Sequence, residues 1–211
     1  MRSLYLVEMA GSAVFAITGV LAATRRGLDV VGAVMLGIVT AIGGGTLRDL
    51  VVGVRPFWIA DFNYVWAACT GALAAFWIGW RFRGVLTGIL YLDAVGAALF
   101  TVAAADKVLG LTGSAPVAVL MGVLTGIGGG LIRDVLAGRP TLIMSRDIYA
   151  TPIVLGCSLF VLLRRFAPEF MAADVVAMAL ILLGRAAAIR LHLQIPEWLT
   201  ARDAGPTSRQ E

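Results

Sequence analysis

Gly43-Gly44-Gly45-Thr46-Leu47-Arg48-Asp49 and, 85 positions later, Gly128-Gly129-Gly130-Leu131-Ile132-Arg133-Asp134 are the stretches that decide how this chain folds. At the same offset Gly37 falls on Gly122, Thr40 on Thr125, Ile42 on Ile127 and Gly53 on Gly138. The correspondence reaches back to Glu8 on Asp93, Gly11 on Gly96 and Phe15 on Phe100, and Arg55-Pro56 matches Arg139-Pro140 once one residue is dropped. The chain is an internal duplication, and each copy carries a glycine triplet followed by an Arg-Asp pair inside an apolar run.

That run sits in an unusually apolar chain. Its 211 residues are 60% hydrophobic and 14% charged, against about 45–50% and about 25% in average soluble domains. One soluble core of this size does not hide so much apolar surface, so the bilayer is the expected solvent. One His, two Cys and thirteen acids leave little material for a metal cluster or a nucleophile and base on neighbouring spans. No enzyme is expected, and no prosthetic group. The net charge of +4 comes without a Lys/Arg run longer than two, which argues against nucleic acid and for loops facing anionic lipid. Cys69 and Cys157 lie in apolar stretches and read as small buried hydrophobes.

Charge-poor stretches long enough to cross about 30 Å of hydrocarbon recur as Leu4–Thr24, Val30–Val52, Phe62–Trp80, Val85–Ala105, Pro116–Ala137, Ile148–Leu163 and Met171–Leu191. The expected fold is all-α, a polytopic membrane protein of seven transmembrane helices. Residues 1–83 form a first three-helix repeat, 84–166 a second, 167–195 the seventh helix and 196–211 a polar, disordered cytoplasmic tail. The first apolar stretch lacks an A-x-A cleavage site and reads as a retained span. Three spans per copy force the second copy to enter from the opposite face, so the repeats are inverted, a construction of transporters and some channels. Arg25, Arg26, Arg81, Arg83, Arg139, Arg146, Arg190, Arg202 and Arg209 fall on one side, and Arg2, Arg55, Lys107, Arg164 and Arg165 on the other. The excess places the carboxyl terminus in the cytoplasm and the amino terminus outside the cell membrane.

Three consecutive glycines cost about 1 kcal/mol each relative to alanine in a helix. One reading is that the second and fifth spans bend or break at Gly43, Gly44, Gly45 and Gly128, Gly129, Gly130, freeing carbonyls for a permeant cation. The other is close packing along small-x-x-x-small ridges. Charge inside a span must pair or snorkel. If Arg48, Asp49, Arg133 and Asp134 face the interior, Glu8 and Asp93 are the acids that answer the arginines, or an arginine is a movable plug. Thr40 and Thr125 either line a path or bond back to a preceding carbonyl. Ala67, Gly71, Ala75 and Gly79 form a further ridge, for a second subunit or for a neighbour in the same chain. Trp58, Trp66, Trp77, Trp80 and Trp198 fit aromatic belts, and His192 fits an interface.

The doubled Gly-Gly-Gly-x-x-Arg-Asp motif in three-span repeats resembles prokaryotic members of the trimeric intracellular cation channel family, which overlaps a small family of glycine-transporter-like membrane proteins. The resemblance covers Leu4 to about Leu191. It implies a homotrimer with one pore per protomer, conduction favouring potassium, and second and fifth helices kinked at the triplets to line the pore. No lysine stands near the first triplet, so lysine-centred gating and lipid contacts of animal members do not carry over. The expected function is a potassium channel; the alternative is a secondary transporter of a small zwitterion such as glycine, with an arginine on its carboxylate.

Overall fold

The computed structural model describes residues 2–23, 27–79 and 85–194. Arg25, Arg26, Arg81, Arg83, Arg202 and Arg209 of the charge tally, Trp80, Trp198 and the tail lie outside the described residues. The described residues are all-helical: α1 (Arg2–Ala23), α2 (Val30–Val52), a short α3 (Phe57–Ala60), α4 (Asn63–Gly79), α5 (Val85–Thr112), α6 (Ala115–Leu136), α7 (Ala150–Phe166) and α8 (Ala173–Arg190). One isolated antiparallel bridge, Asp147 with Gln194, is the only extended pairing among the described residues.

Local chemistry sets the ends of these helices. Asp29 Oδ1 accepts the Gly32 N–H at 2.8 Å and caps the start of α2. At its other end Gly53 takes φ +77°, and the Val54 N–H reaches back to the Asp49 carbonyl at 2.9 Å. The second copy repeats this closure: Gly138 has φ +58°, and the Arg139 N–H meets the Asp134 carbonyl at 2.8 Å. Only glycine enters this left-handed region without a steric cost, so both ends are fixed by matched residues.

Four segments, Tyr5–Ala23, Val30–Val52, Thr87–Thr112 and Ala115–Leu136, are long and apolar enough to cross a membrane. Helices α4 and α7 have 17 residues each and α8 has 18, close to the shortest length that spans hydrocarbon. Helix α5 runs seven residues beyond the expected Ala105. Lys107 therefore belongs to a helix and not to a loop, because its ammonium is paired, as described below.

The two copies touch reciprocally. Phe15 and Phe100, equivalent residues, stack with ring centroids 5.5 Å apart. A Cβ on Gly11 would lie 2.9 Å from the Phe100 ring, and one on Gly96 3.0 Å from the Phe15 ring. Such exchange of equivalent contacts is the mark of a two-fold relation. One apolar core gathers Phe15, Val20 and Ala72 around α1, α2 and α4, and the other Val102, Ile153, Phe160 and Ile181 around α5, α7 and α8. The ridge on α4 packs inside the protomer, since a Cβ on Gly71 would come within 2.8 Å of the Ala13 carbonyl oxygen of α1. Cys157 is buried, Cys69 half-buried, and both are free.

Gly110, on α5, has nothing within 4 Å of where a Cβ would stand. Gly110→Ala is expected to raise stability by about 0.5–1 kcal/mol, read as an upward shift of the thermal midpoint in detergent.

Candidate functional site

Helices α2 and α6 meet at their glycine triplets. A Cβ on Gly44 would lie 2.5 Å from the Thr125 carbonyl oxygen, and one on Gly129 2.6 Å from that of Thr40. A Cβ on Gly128 would lie 3.2 Å from the Gly44 Cα. The remaining three glycines clear space on other sides: Gly43 for Ile132, Gly45 for Phe57 and Gly130 for the Asp93 carboxylate. Successive helical positions point about 100° apart, so three glycines in a row serve three different neighbours.

The expected break is therefore corrected. Both helices run without interruption through Gly43–Gly45 and Gly128–Gly130, and the carbonyls stay in the helical ladder. Helix propensity suggested a break, but a partner backbone covers the glycines and the approach itself requires them. Thr40 Oγ1 donates to the Leu36 carbonyl and Thr125 Oγ1 to that of Met121, each at 2.6 Å. Of the two readings of these threonines, the back-bonded one holds.

Beside the crossing lie two equivalent charge clusters. In the first, Arg48 Nε donates to Asp49 Oδ1 at 2.8 Å, and its Nη1 stands 3.8 Å from Glu8 Oε1 of α1. The Tyr64 hydroxyl of α4 donates to Glu8 Oε2 at 2.9 Å. Lys107 Nζ of α5 donates to Asp49 Oδ1, and the Phe57 N–H to Asp49 Oδ2, both at 2.8 Å. The Arg48 guanidinium carbon lies 5.6 Å from the centre of the Phe57 ring.

In the second cluster, Arg133 Nε donates to Asp134 Oδ1 at 2.9 Å and Nη2 to Asp134 Oδ2 at 3.2 Å. Its Nη1 donates to Asp93 Oδ1 at 2.9 Å and to Thr18 Oγ1 at 3.1 Å. The Tyr149 hydroxyl donates to Asp93 Oδ2 at 3.0 Å. The two Arg-Asp pairs and their acidic and tyrosine partners, six charged residues and two tyrosines, thus recur at the 85-residue offset. Tyr64 and Tyr149 escape a reading confined to charges and glycines, although that offset superposes them.

The clusters differ in closure. Arg133 and Asp93 side chains are fully buried and fully bonded. Arg48 is equally buried, yet its Nη1 and Nη2 have no hydrogen-bond partner. The side chains of Glu8 and Lys107 around it are 16% and 31% exposed. Three differences accompany this: the residue equivalent to Thr18, which bonds Arg133 Nη1, is Ala103 without a hydroxyl; Glu8 stands 3.8 Å from Nη1 where Asp93 bonds at 2.9 Å; and Asp49 Oδ2 accepts the Phe57 N–H where Asp134 Oδ2 accepts Arg133 Nη2.

Two outlying groups complete the picture. Trp58 is not a free belt residue, since its Nε1–H donates to Thr46 Oγ1 at 2.9 Å; Trp66 and Trp77 are exposed, as a belt requires. Between α3 and α4, the Asn63 backbone N–H and the Tyr5 hydroxyl, at 3.0 and 2.7 Å, hold the Asp61 carboxyl below its usual range.

The model of the Glycine transporter family matches residues 5–80 and again 90–165, two matches that begin at the repeat offset. A UPF0126 membrane protein of Vibrio cholerae is 40% identical over 195 residues, covering 92% of this chain and 82% of the relative. The UPF0126 inner membrane protein YadS of Escherichia coli is 39% identical, covering 91% and 94%. Among solved structures, the TRIC trimeric intracellular cation channel orthologue from Rhodobacter sphaeroides superposes with a TM-score of 0.88 at 37% identity, over 92% of this chain and all of that one. A prokaryotic TRIC channel in 0.5 M KCl gives 0.84 at 26% identity, over 92% and 99%. The protein is a multi-pass membrane protein whose structural neighbours are cation channels.

Proposed function

Since the chain belongs to the Glycine transporter family of UPF0126 membrane proteins, we propose that it is a potassium-conducting channel, assembled as a homotrimer with one path per protomer beside the α2–α6 crossing. The likeness to the Rhodobacter sphaeroides orthologue, itself a trimeric cation channel, carries this reading. In it, seven helices cross the cell membrane as two inverted repeats plus α8, in contact with lipid, with the amino terminus outside and the carboxyl terminus in the cytoplasm. The reciprocal contacts of Phe15 with Phe100 and of Gly44 with Gly129 support such a two-fold relation.

The two clusters divide the work. Arg133, Asp93, Asp134 and Tyr149 are the fixed partner on which α5, α6 and the start of α7 are registered. Arg48, Glu8, Asp49 and Lys107 form the adjustable one. With two guanidinium nitrogens that make no hydrogen bond and Glu8 held only at 3.8 Å, Arg48 can exchange Glu8 for water, which changes the charge a cation meets. Arginine then works as a gate and the carboxylates attract the ion.

Purified protein in liposomes tests this. A potassium gradient is expected to drive electrogenic flux without added substrate, and Arg48→Ala is expected to alter its voltage dependence. The family's description and the arginine beside partly open carboxylates favour a second reading, a carrier for a small zwitterion. Saturable uptake of labelled glycine without electrogenic potassium flux would establish that reading and sink the first.

A further inference from the structure

A cavity of about 330 Å³ opens beside the second cluster, between the start of α5, the segment before α7 and the end of α8. Arg185 of α8 lines it, with Tyr149 behind. Arg185 is 2% exposed. Its Nη1 donates to the Ile148 carbonyl at 3.0 Å, its guanidinium lies 4.4 Å from the centre of the Tyr149 ring, and its Nε has no partner. The other two buried arginines each bond the aspartate that follows them. Arg185 has no ion pair among the described residues. Asp93 and Asp147 act on it only from beyond ion-pair distance, and a buried guanidinium so loosely compensated is costly unless something closer supplies a negative charge.

Arg190 and His192, both exposed, stand at the mouth of the same cavity, and Asp147 is the one acid in its lining. His192 has φ +49°, strained for a residue with a side chain. Backbone bonds fix it there: the Leu193 N–H donates to the Ala188 carbonyl at 3.0 Å, and the Ile148 N–H to the Leu193 carbonyl at 3.1 Å. Three basic groups therefore converge on one cavity from a buried side, a helix end and a pinned loop.

We propose that this cavity is an anion site for a phosphate group, either the headgroup of an anionic phospholipid or free phosphate. Three spread oxygens match donors that come from three directions, which a single carboxylate would engage less completely. Leu90 and Ile189 beside the charges leave an apolar wall on which a glycerol backbone rests. Of the residues in the two clusters only Tyr149 reaches this cavity, and the basic groups that make the site, Arg185, Arg190 and His192, belong to neither, so it stands whether the protein is a channel or a carrier.

The test is thermal unfolding of the purified full-length protein in neutral detergent, titrated with sodium phosphate, short-chain phosphatidic acid, short-chain phosphatidylcholine, or sodium chloride at matched ionic strength. A saturable rise of the midpoint with phosphate or phosphatidic acid, absent with phosphatidylcholine and chloride, is expected. A rise with phosphatidic acid alone identifies a lipid headgroup, and a rise with both identifies a site open to free phosphate. The double variant Arg190→Gln, His192→Gln should keep the ligand-free midpoint and raise the half-saturating concentration at least tenfold. Arg185→Lys, which keeps the charge and loses the fork, should weaken it too. An equal rise with chloride, no rise with either phosphate compound, or a double variant that titrates like the parent overturns the proposal.

Discussion

Arg133→Met is expected to cost the folded protein about 3–5 kcal/mol, the penalty of leaving a buried charge without its partner. The carboxylate of Asp93 is fully buried and receives only Arg133 and the Tyr149 hydroxyl. Without the guanidinium it must protonate or pull the structure open, and Thr18 on α1 loses its link to α6 as well. The equivalent change, Arg48→Met, removes a group that holds one 2.8 Å bond and one 3.8 Å contact. It also removes the guanidinium 5.6 Å from the centre of the Phe57 ring, but leaves Glu8 partly exposed and bonded to Tyr64, and Asp49 bonded to Lys107 and the Phe57 N–H. Its cost should stay below about 2 kcal/mol, that of one hydrogen bond to a charged group. Denaturant unfolding in mixed micelles measures both, and the pair Arg133→Met, Asp93→Asn should recover part of the loss. Equal costs at Arg48 and Arg133 would show that the two clusters are equally locked and would remove the basis for a movable arginine.

The repeat made most of this structure legible. Helix α2 is read to the residue because Asp29 and Gly53 mark both its ends in the sequence. The end of α5 is not, since Asp106 and Lys107 look like the start of a loop. Only in three dimensions does Asp106 meet Arg164 at 3.5 Å and Lys107 meet Asp49. The pairing partners of Arg48 and Arg133 follow from the offset, because acids at matched positions on a neighbouring helix have few other uses inside a bilayer. The difference between the clusters is harder to see. Part of it is Ala103 against Thr18, at a place that carries no charge, and part is how far each acid reaches, Glu8 at 3.8 Å against Asp93 at 2.9 Å, which only the packing of the helices sets. The state of the glycine triplets is not a local property at all. Propensity is written in each triplet separately, whereas the contact that overrides it belongs to both.

Gly44→Val and Gly129→Val test that contact directly and should be strongly damaging. A Cβ at Gly44 would stand 2.5 Å from the Thr125 carbonyl oxygen and 3.1 Å from the Gly129 backbone nitrogen, and one at Gly129 2.6 Å from the Thr40 carbonyl oxygen. None of these atoms belongs to a flexible side chain, so the helices themselves must move apart. Overpacking usually costs about 1–3 kcal/mol, and here two further methyls on valine enter the same gap. Alanine should fall near the low end of that range and valine beyond it. Gly43→Ala makes the comparison sharp: its neighbour is the Cδ1 end of Ile132, which can turn aside, so its cost should be smaller than that of Gly44→Ala. Thermal midpoints and the yield of folded assembly report stability, and potassium flux from liposomes reports function. Packing predicts that flux per folded protein is kept in Gly44→Ala while the midpoint falls. If the midpoint is unchanged and flux collapses instead, the triplet carbonyls touch the permeating ion and the helices open at the glycines when the path conducts.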